Sequence, residues 1–194
     1  MSHYTTCAII KISSAEKKEE LRVMYDNNPE ALFDMLESKL EPVLTGYDTN
    51  TKVPLHNVYL DQDRILTMAN HYKIHSEDIH ALTPYIKDWI GDPGGIDEKG
   101  LFYSTTDNPN GHFDNWGIYD AIIASNDIAL DLKNKNITAQ ALLLPNSSWV
   151  ESEHFFYSVN DDNNEAFSMW ENKVADILRN YSHNYIAVLI DCHI

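Results

Sequence analysis

Cysteine, glycine, proline and basic side chains are all scarce in this chain, and each scarcity removes a class of protein. Only two cysteines, Cys7 and Cys192, occur in 194 residues. They make no disulfide scaffold, so both are read as thiols of a protein working in the reducing cell interior, the cytoplasm. Seven glycines and seven prolines exclude collagen-like and low-complexity chains. No apolar run is long enough to span a bilayer. Met1, Ser2, His3 and Tyr4 carry no basic segment followed by an apolar stretch, so neither a membrane span nor a cleaved export signal is expected. The glycosylation-like triplets beginning at Asn136, Asn146 and Asn180 then read as chance occurrences in an Asn-rich chain.

Lysine and arginine number 14 against 30 aspartates and glutamates, a formal charge of -16. That balance repels phosphate backbones and argues against direct nucleic-acid binding. It favours solubility and, where a partner exists, a basic protein surface. The composition is 43% hydrophobic and 23% charged, near the globular average, and the length suits one ordinary domain over residues 1–194.

Hydrophobic patterning predicts an α+β fold: a mixed β-sheet with the N- and C-terminal strands central, covered by helices. Thr5 to Ile12 is β-branched and apolar on both alternating faces, as a central strand requires. Tyr185 to Ile194 is a second such run and is placed beside it. Ser13 and Glu16 form a capping box that opens a helix through about Met24. Asn28 and Pro29 open another, with Leu32, Phe33, Leu36, Leu40 and Leu44 at helical spacing and Gly46 after its end. Gln62 to Tyr72 reads as a helix, Ser76 restarts helix towards Trp89, and Gly91, Pro93, Gly94 and Gly95 force a loop. Leu101 to Ser104 reads as a strand, while Ala121 to Leu130 fits strand and helix equally. Thr138 to Leu144 and His154 to Val159 read as strands joined around Pro145-Asn146. Asn163 or Asn164 opens a last helix, with Phe167, Trp170, Val174 and Ile177 on one face.

Four groups of residues have chemistry to offer. The Gly94-Gly95 turn with Asp97 and Glu98 beside it reads as a solvated turn or as a cation or ligand site. His112, Asp114 and Trp116 follow the turn Asn108-Pro109-Asn110-Gly111. On an extended segment they share one face, where they would bind a polar ligand or merely anchor a turn. On the last strand, Cys192 falls with Ile186, Val188, Ile190 and Ile194 as a core thiol, while Asp191 and His193 share the other face. His3 joins them if the terminal strands are neighbours. His71, His75 and His80 suggest a metal site, but the helix start at Ser76 puts His75 in a break and spoils the spacing. No metal site and no cofactor are therefore expected, and no Cys-x-x-Cys, nucleophile elbow, dinucleotide fingerprint or kinase signature is present.

The stretch from Trp89 to Asp120, with the C-terminal Asp191-Cys192-His193-Ile194, resembles a family of uncharacterised bacterial and phage proteins. Its members carry a Trp-x-Gly, a Gly-Gly-x-Asp-Glu-x-Gly-Leu-Tyr loop, an Asn-Pro before a Trp-Asp-Trp-Tyr segment, and a terminal Asp-Cys-His-Ile. Trp89, Gly91, Gly94, Gly95, Asp97, Glu98, Gly100, Leu101, Asn108, Pro109 and Asp114 match that pattern here, and the Ser2-His3 start is similar. Where the family continues Ile-Gly-Gly-Arg-Trp, this chain has Ile118-Tyr119-Asp120-Ala121, without the arginine. The resemblance implies a bacterial or mobile-element origin and carries no activity.

Two functional expectations follow. The first is a non-enzymatic acidic binding protein, in its sharpest form an inhibitor covering a basic surface of a partner protein. The second is a small enzyme whose pocket joins His112, Asp114, Asp191 and His193 with Trp89 or Trp116, acting on a polar substrate.

Overall fold

The computed structural model describes residues 3–123, 126–153, 164–181 and 183–193. It groups them into two compact units, Met1–Asp48 with Asn110–Ile194, and Thr49–Pro109. The sequence reads as one domain over residues 1–194; in chain order, the second unit is the stretch between the two segments of the first.

The first unit is built on a five-stranded mixed sheet. Its strands are β1 (His3–Lys11), β5 (Asn115–Ile122), β6 (Ala141–Leu143), β7 (Trp149–Glu151) and β8 (Tyr185–His193), in the order β5-β8-β1-β6-β7. β1 and β8 are thus internal, as their two-faced apolar patterns require. They pair antiparallel over their whole length, from His3 opposite His193 to Lys11 opposite Tyr185. β1 runs parallel to β6, and β5 antiparallel to β8 with a bulge between Ile118 and Asp120.

Strand alternation feeds two cores. Tyr4, Ala8, Ile186, Val188, Ile190 and Cys192 face one side, where helices α1 (Ala15–Asn27) and α2 (Pro29–Leu44) contribute Leu21, Leu32, Leu36, Leu40 and Leu44. Cys7, Ile9, Ala187 and Leu189 face the other, against Ile128 and Leu132 of α6 (Ile128–Asn134) and Trp170, Val174 and Leu178 of α7 (Asn164–Leu178). The result is a helix–sheet–helix sandwich.

The second unit packs a three-stranded antiparallel sheet, β2 (His56–Tyr59), β4 (Gly100–Thr105) and β3 (Gly94–Asp97), in the order β2-β4-β3. Around Leu60, Ile65, Met68, Leu82, Ile86 and Leu101 it adds α3 (Gln62–Tyr72), α4 (Ile79–Leu82) and α5 (Ile86–Ile90).

Several local expectations shift. The cap of α1 is Ser14, whose Oγ accepts from the Lys17 N–H at 3.2 Å, and not Ser13. The helix expected from Ser76 to Trp89 is capped by Asp78 and broken into α4, a 3₁₀ turn at Thr83–Tyr85 and α5, with Pro84 in the turn. The strand after the Pro145-Asn146 turn is β7, and the expected strand His154–Val159 lies outside the described residues. Ala121 to Leu130 proves to be the end of β5 and the start of α6.

The expected glycine loop holds for Gly91 to Pro93, while Gly94 and Gly95 begin strand β3. A Cβ on Gly94 would collide with the Ile86 side chain and the Phe102 carbonyl, whereas one on Gly46 would meet nothing within 4 Å. We expect Gly94→Ala to destabilise the second unit by about 1–3 kcal/mol, and Gly46→Ala to leave stability unchanged within a few tenths. Urea denaturation of the two variants checks this, and equal midpoints would contradict the close approach at Gly94.

Candidate functional site

Because His3 and His193 are register partners and Asp191 sits two residues back on the same face of β8, the chain's first and last described strands bring three polar side chains together. Asp191 is the hub. Its Oδ2 lies 3.0 Å from His3 Nδ1 and 3.3 Å from His193 Nε2. The two imidazole rings are tilted against each other with centroids 4.0 Å apart. The His3 side chain is 54% exposed, Asp191 41% and His193 21%, so the cluster opens to solvent. The His193 Nδ1 nitrogen is buried without a hydrogen-bond partner among the described residues. On the same face, Thr5 Oγ1 and the Tyr119 hydroxyl are 3.2 Å apart, with Tyr119 set in the β5 bulge.

His112 goes elsewhere. Its Nδ1 lies 2.9 Å from Glu151 Oε2, which also accepts from Trp149 Nε1 at 2.9 Å. Its ring stacks on Trp149 with centroids 5.0 Å apart, next to Tyr47. Trp149 packs against the core shared by Cys192 and Ile190, so His112 lies across the sheet from Asp191 and His193. The shared face of His112, Asp114 and Trp116 is expected only on an extended segment, and regular strand begins at Asn115, so strand alternation does not set the directions of His112 and Asp114. Phe113 is fully buried in the same core that Trp116 packs against. Asp114 is exposed, and its N–H donates to the His193 carbonyl at 3.0 Å.

In the second unit, Asp97 closes the β3–β4 hairpin. It accepts from the Lys99 N–H at 2.8 Å and the Tyr59 hydroxyl at 2.9 Å, and the Lys99 N–H first, then Tyr59, hold its carboxyl below the usual range. Glu98 is exposed in that turn. Trp89 packs into the unit's core beside His71, ring centroids 5.0 Å apart. His75 lies in the connection between α3 and α4, away from the end of either helix that would have set ligand spacing.

Sequence reasoning gave no role to Asp120, a position noted only as a departure from the family pattern. Burial acts to raise its pKa, but hydrogen bonds from Lys135 Nζ at 2.6 Å and the Tyr25 hydroxyl at 2.6 Å prevail and lower it. It links β5 to α1 and to the end of α6. Nothing in its sequence neighbourhood marks this, since Tyr25 lies 95 residues away.

Comparisons with protein-family models, with curated proteins and with solved structures find no match to this chain. No helix of the described residues is long and apolar enough to cross a membrane.

Both thiols are free and buried, and burial pushes each of them up to about 12. The folded value lies above that of the unfolded chain, about 8.5. Their contribution to stability is therefore complete below that pH and is lost as pH rises towards the folded value. We expect neither thiol to react with a thiol reagent at neutral pH without denaturant, and the unfolding midpoint to fall between about pH 8 and about pH 11. Stoichiometric labelling of the native protein would contradict the burial of both sulfurs.

Proposed function

We propose that this is a non-enzymatic acidic binding protein that covers a basic surface of a protein partner, with the exposed stripe of α2 as its contact. The observation that carries the reading is the set Glu30, Asp34, Glu37 and Glu41. All four are exposed and fall on one side of the helix by their spacing, and none has an ion-pair partner among the described residues. Neighbouring α1 shows the contrast: Lys17 pairs with Glu20, and Arg22 pairs with Glu19 and Asp26.

A stripe of like charges at i, i+3 and i+4 destabilises its own helix by a few tenths of a kcal/mol per pair. Glu41 adds to that cost, standing near the helix C-terminus where an acid opposes the dipole and where the last turn has no base. A basic partner would relieve this repulsion while gaining steered association. The overall charge of -16 supports the same reading and argues against direct nucleic-acid binding. The two buried thiols fit a cytoplasmic protein, and the motif resemblance supports a bacterial or mobile-element origin. The enzyme reading needs His112, Asp114, Asp191 and His193 in one pocket, and no observation favours it.

The test compares affinity capture by the wild type and by the variant Glu30→Gln/Asp34→Asn/Glu37→Gln/Glu41→Gln. We expect the wild type to retain a basic protein whose affinity weakens with salt, and the variant to bind it at least tenfold more weakly. The loss of like-charge repulsion offsets the loss of Glu30 from the first turn, and circular dichroism of the variant checks that lost binding is not unfolding. Failure of the wild type to retain any protein at low and physiological salt, or undiminished binding by the variant, sinks the proposal.

A further inference from the structure

We infer that His3, Asp191 and His193 form a site for a divalent transition-metal ion of the Zn²⁺ class, clipping β1 to β8. The inference is independent of the proposed partner surface. It departs from the expectation of no metal, which rested on ligand spacing along the chain; here the ligands come from opposite ends of it and meet only through strand register.

Geometry is the first support. Each of the three residues offers one ligand atom, and these atoms lie within 4.8 Å of one another. The Asp191 oxygen stands 3.0 Å from His3 Nδ1 and 3.3 Å from His193 Nε2. Tetrahedral ligands at the usual Zn–N and Zn–O lengths are separated by about 3.3 Å. The side chains therefore need only small rotations to face a common ion, with no movement of the strands.

Donor chemistry is the second. Two imidazoles and one carboxylate suit Zn²⁺ and its neighbours in the first transition row, whereas Mg²⁺ and Ca²⁺ prefer oxygen-only shells. Three protein ligands leave a fourth position for solvent, in keeping with the partial exposure of His3 and Asp191.

The surroundings are the third. Gly117 is the β5 residue opposite Asp191, and a Cβ added there would meet nothing within 4 Å, so the position directly opposite the carboxylate leaves it open space.

The experiment is titration of the purified, metal-stripped protein with Zn²⁺ by calorimetry, with Co²⁺ as a spectroscopic probe and Mg²⁺ and Ca²⁺ as comparisons. Thermal unfolding is followed with and without Zn²⁺. We expect one Zn²⁺ per chain, visible Co²⁺ absorption bands that Zn²⁺ displaces, no comparable binding of Mg²⁺ or Ca²⁺, and a raised midpoint with Zn²⁺. His3→Ala and Asp191→Asn should each weaken Zn²⁺ binding roughly tenfold or more and abolish the midpoint shift. His75→Ala, an exposed histidine of the other unit, should change neither. Both ligand variants alter side chains that are substantially exposed, and circular dichroism of the metal-free proteins checks that they fold. Absence of Zn²⁺ binding by the wild type, or affinity undiminished in either ligand variant, overturns the inference.

Discussion

The fold of the first unit depends on one interaction, the nine-residue antiparallel pairing of β1 with β8. Ile186, Val188, Leu189 and Ile190 are all fully buried, each worth roughly 1.5–3 kcal/mol relative to exposure. Their sum is comparable with the whole net stability of an ordinary domain, about 5–15 kcal/mol. Both edges of β8 are also used, by β1 and by β5. Its backbone groups are therefore satisfied without water, and its side chains anchor both cores. The same register decides which polar residues meet at the strand ends: one step of slip would send Asp191 and His193 into the core and Cys192 out of it.

How legible these features were depended on the range of the interactions behind them. β8 and α2 were readable because their patterns are strong and local, with five buried residues in succession in one and leucines every four residues in the other. The Ser13 cap missed by one residue because adjacent serines offer the same hydroxyl, and only helix geometry selects Ser14. Gly94 and Gly95 were read as a turn on conformational freedom, but at Gly94 it is the missing Cβ that matters, since it admits Ile86 and Phe102. β2 went unread because its four residues alternate weakly between half-buried and exposed.

The polar cluster was legible only conditionally. Alternation on the last strand separated Asp191 and His193 from Cys192, and His3 could be added only if the terminal strands were neighbours. The destination of His112 was not legible, because Glu151 and Trp149 lie on another strand and the irregular start of β5 voids the alternation argument. Asp120 shows the same limit: its two partners come from separate helices or their ends. The acids of this chain also differ in kind. Glu19, Glu20 and Asp26 of α1 are paired within a turn, Asp120 is held by a lysine and a phenol, and the acids of the α2 stripe face solvent without an ion pair among the described residues.

The bracketing of β8 by β1 and β5 bears on how the protein is made. On the ribosome, residues 49–109 and all their mutual contacts emerge before β8 exists. Until it arrives, β5 has no partner strand among the described elements and β1 has only the three-residue β6. The nascent chain therefore passes through a stage with two open, apolar strand edges, the kind of surface that chaperones bind and that aggregates when synthesis stalls.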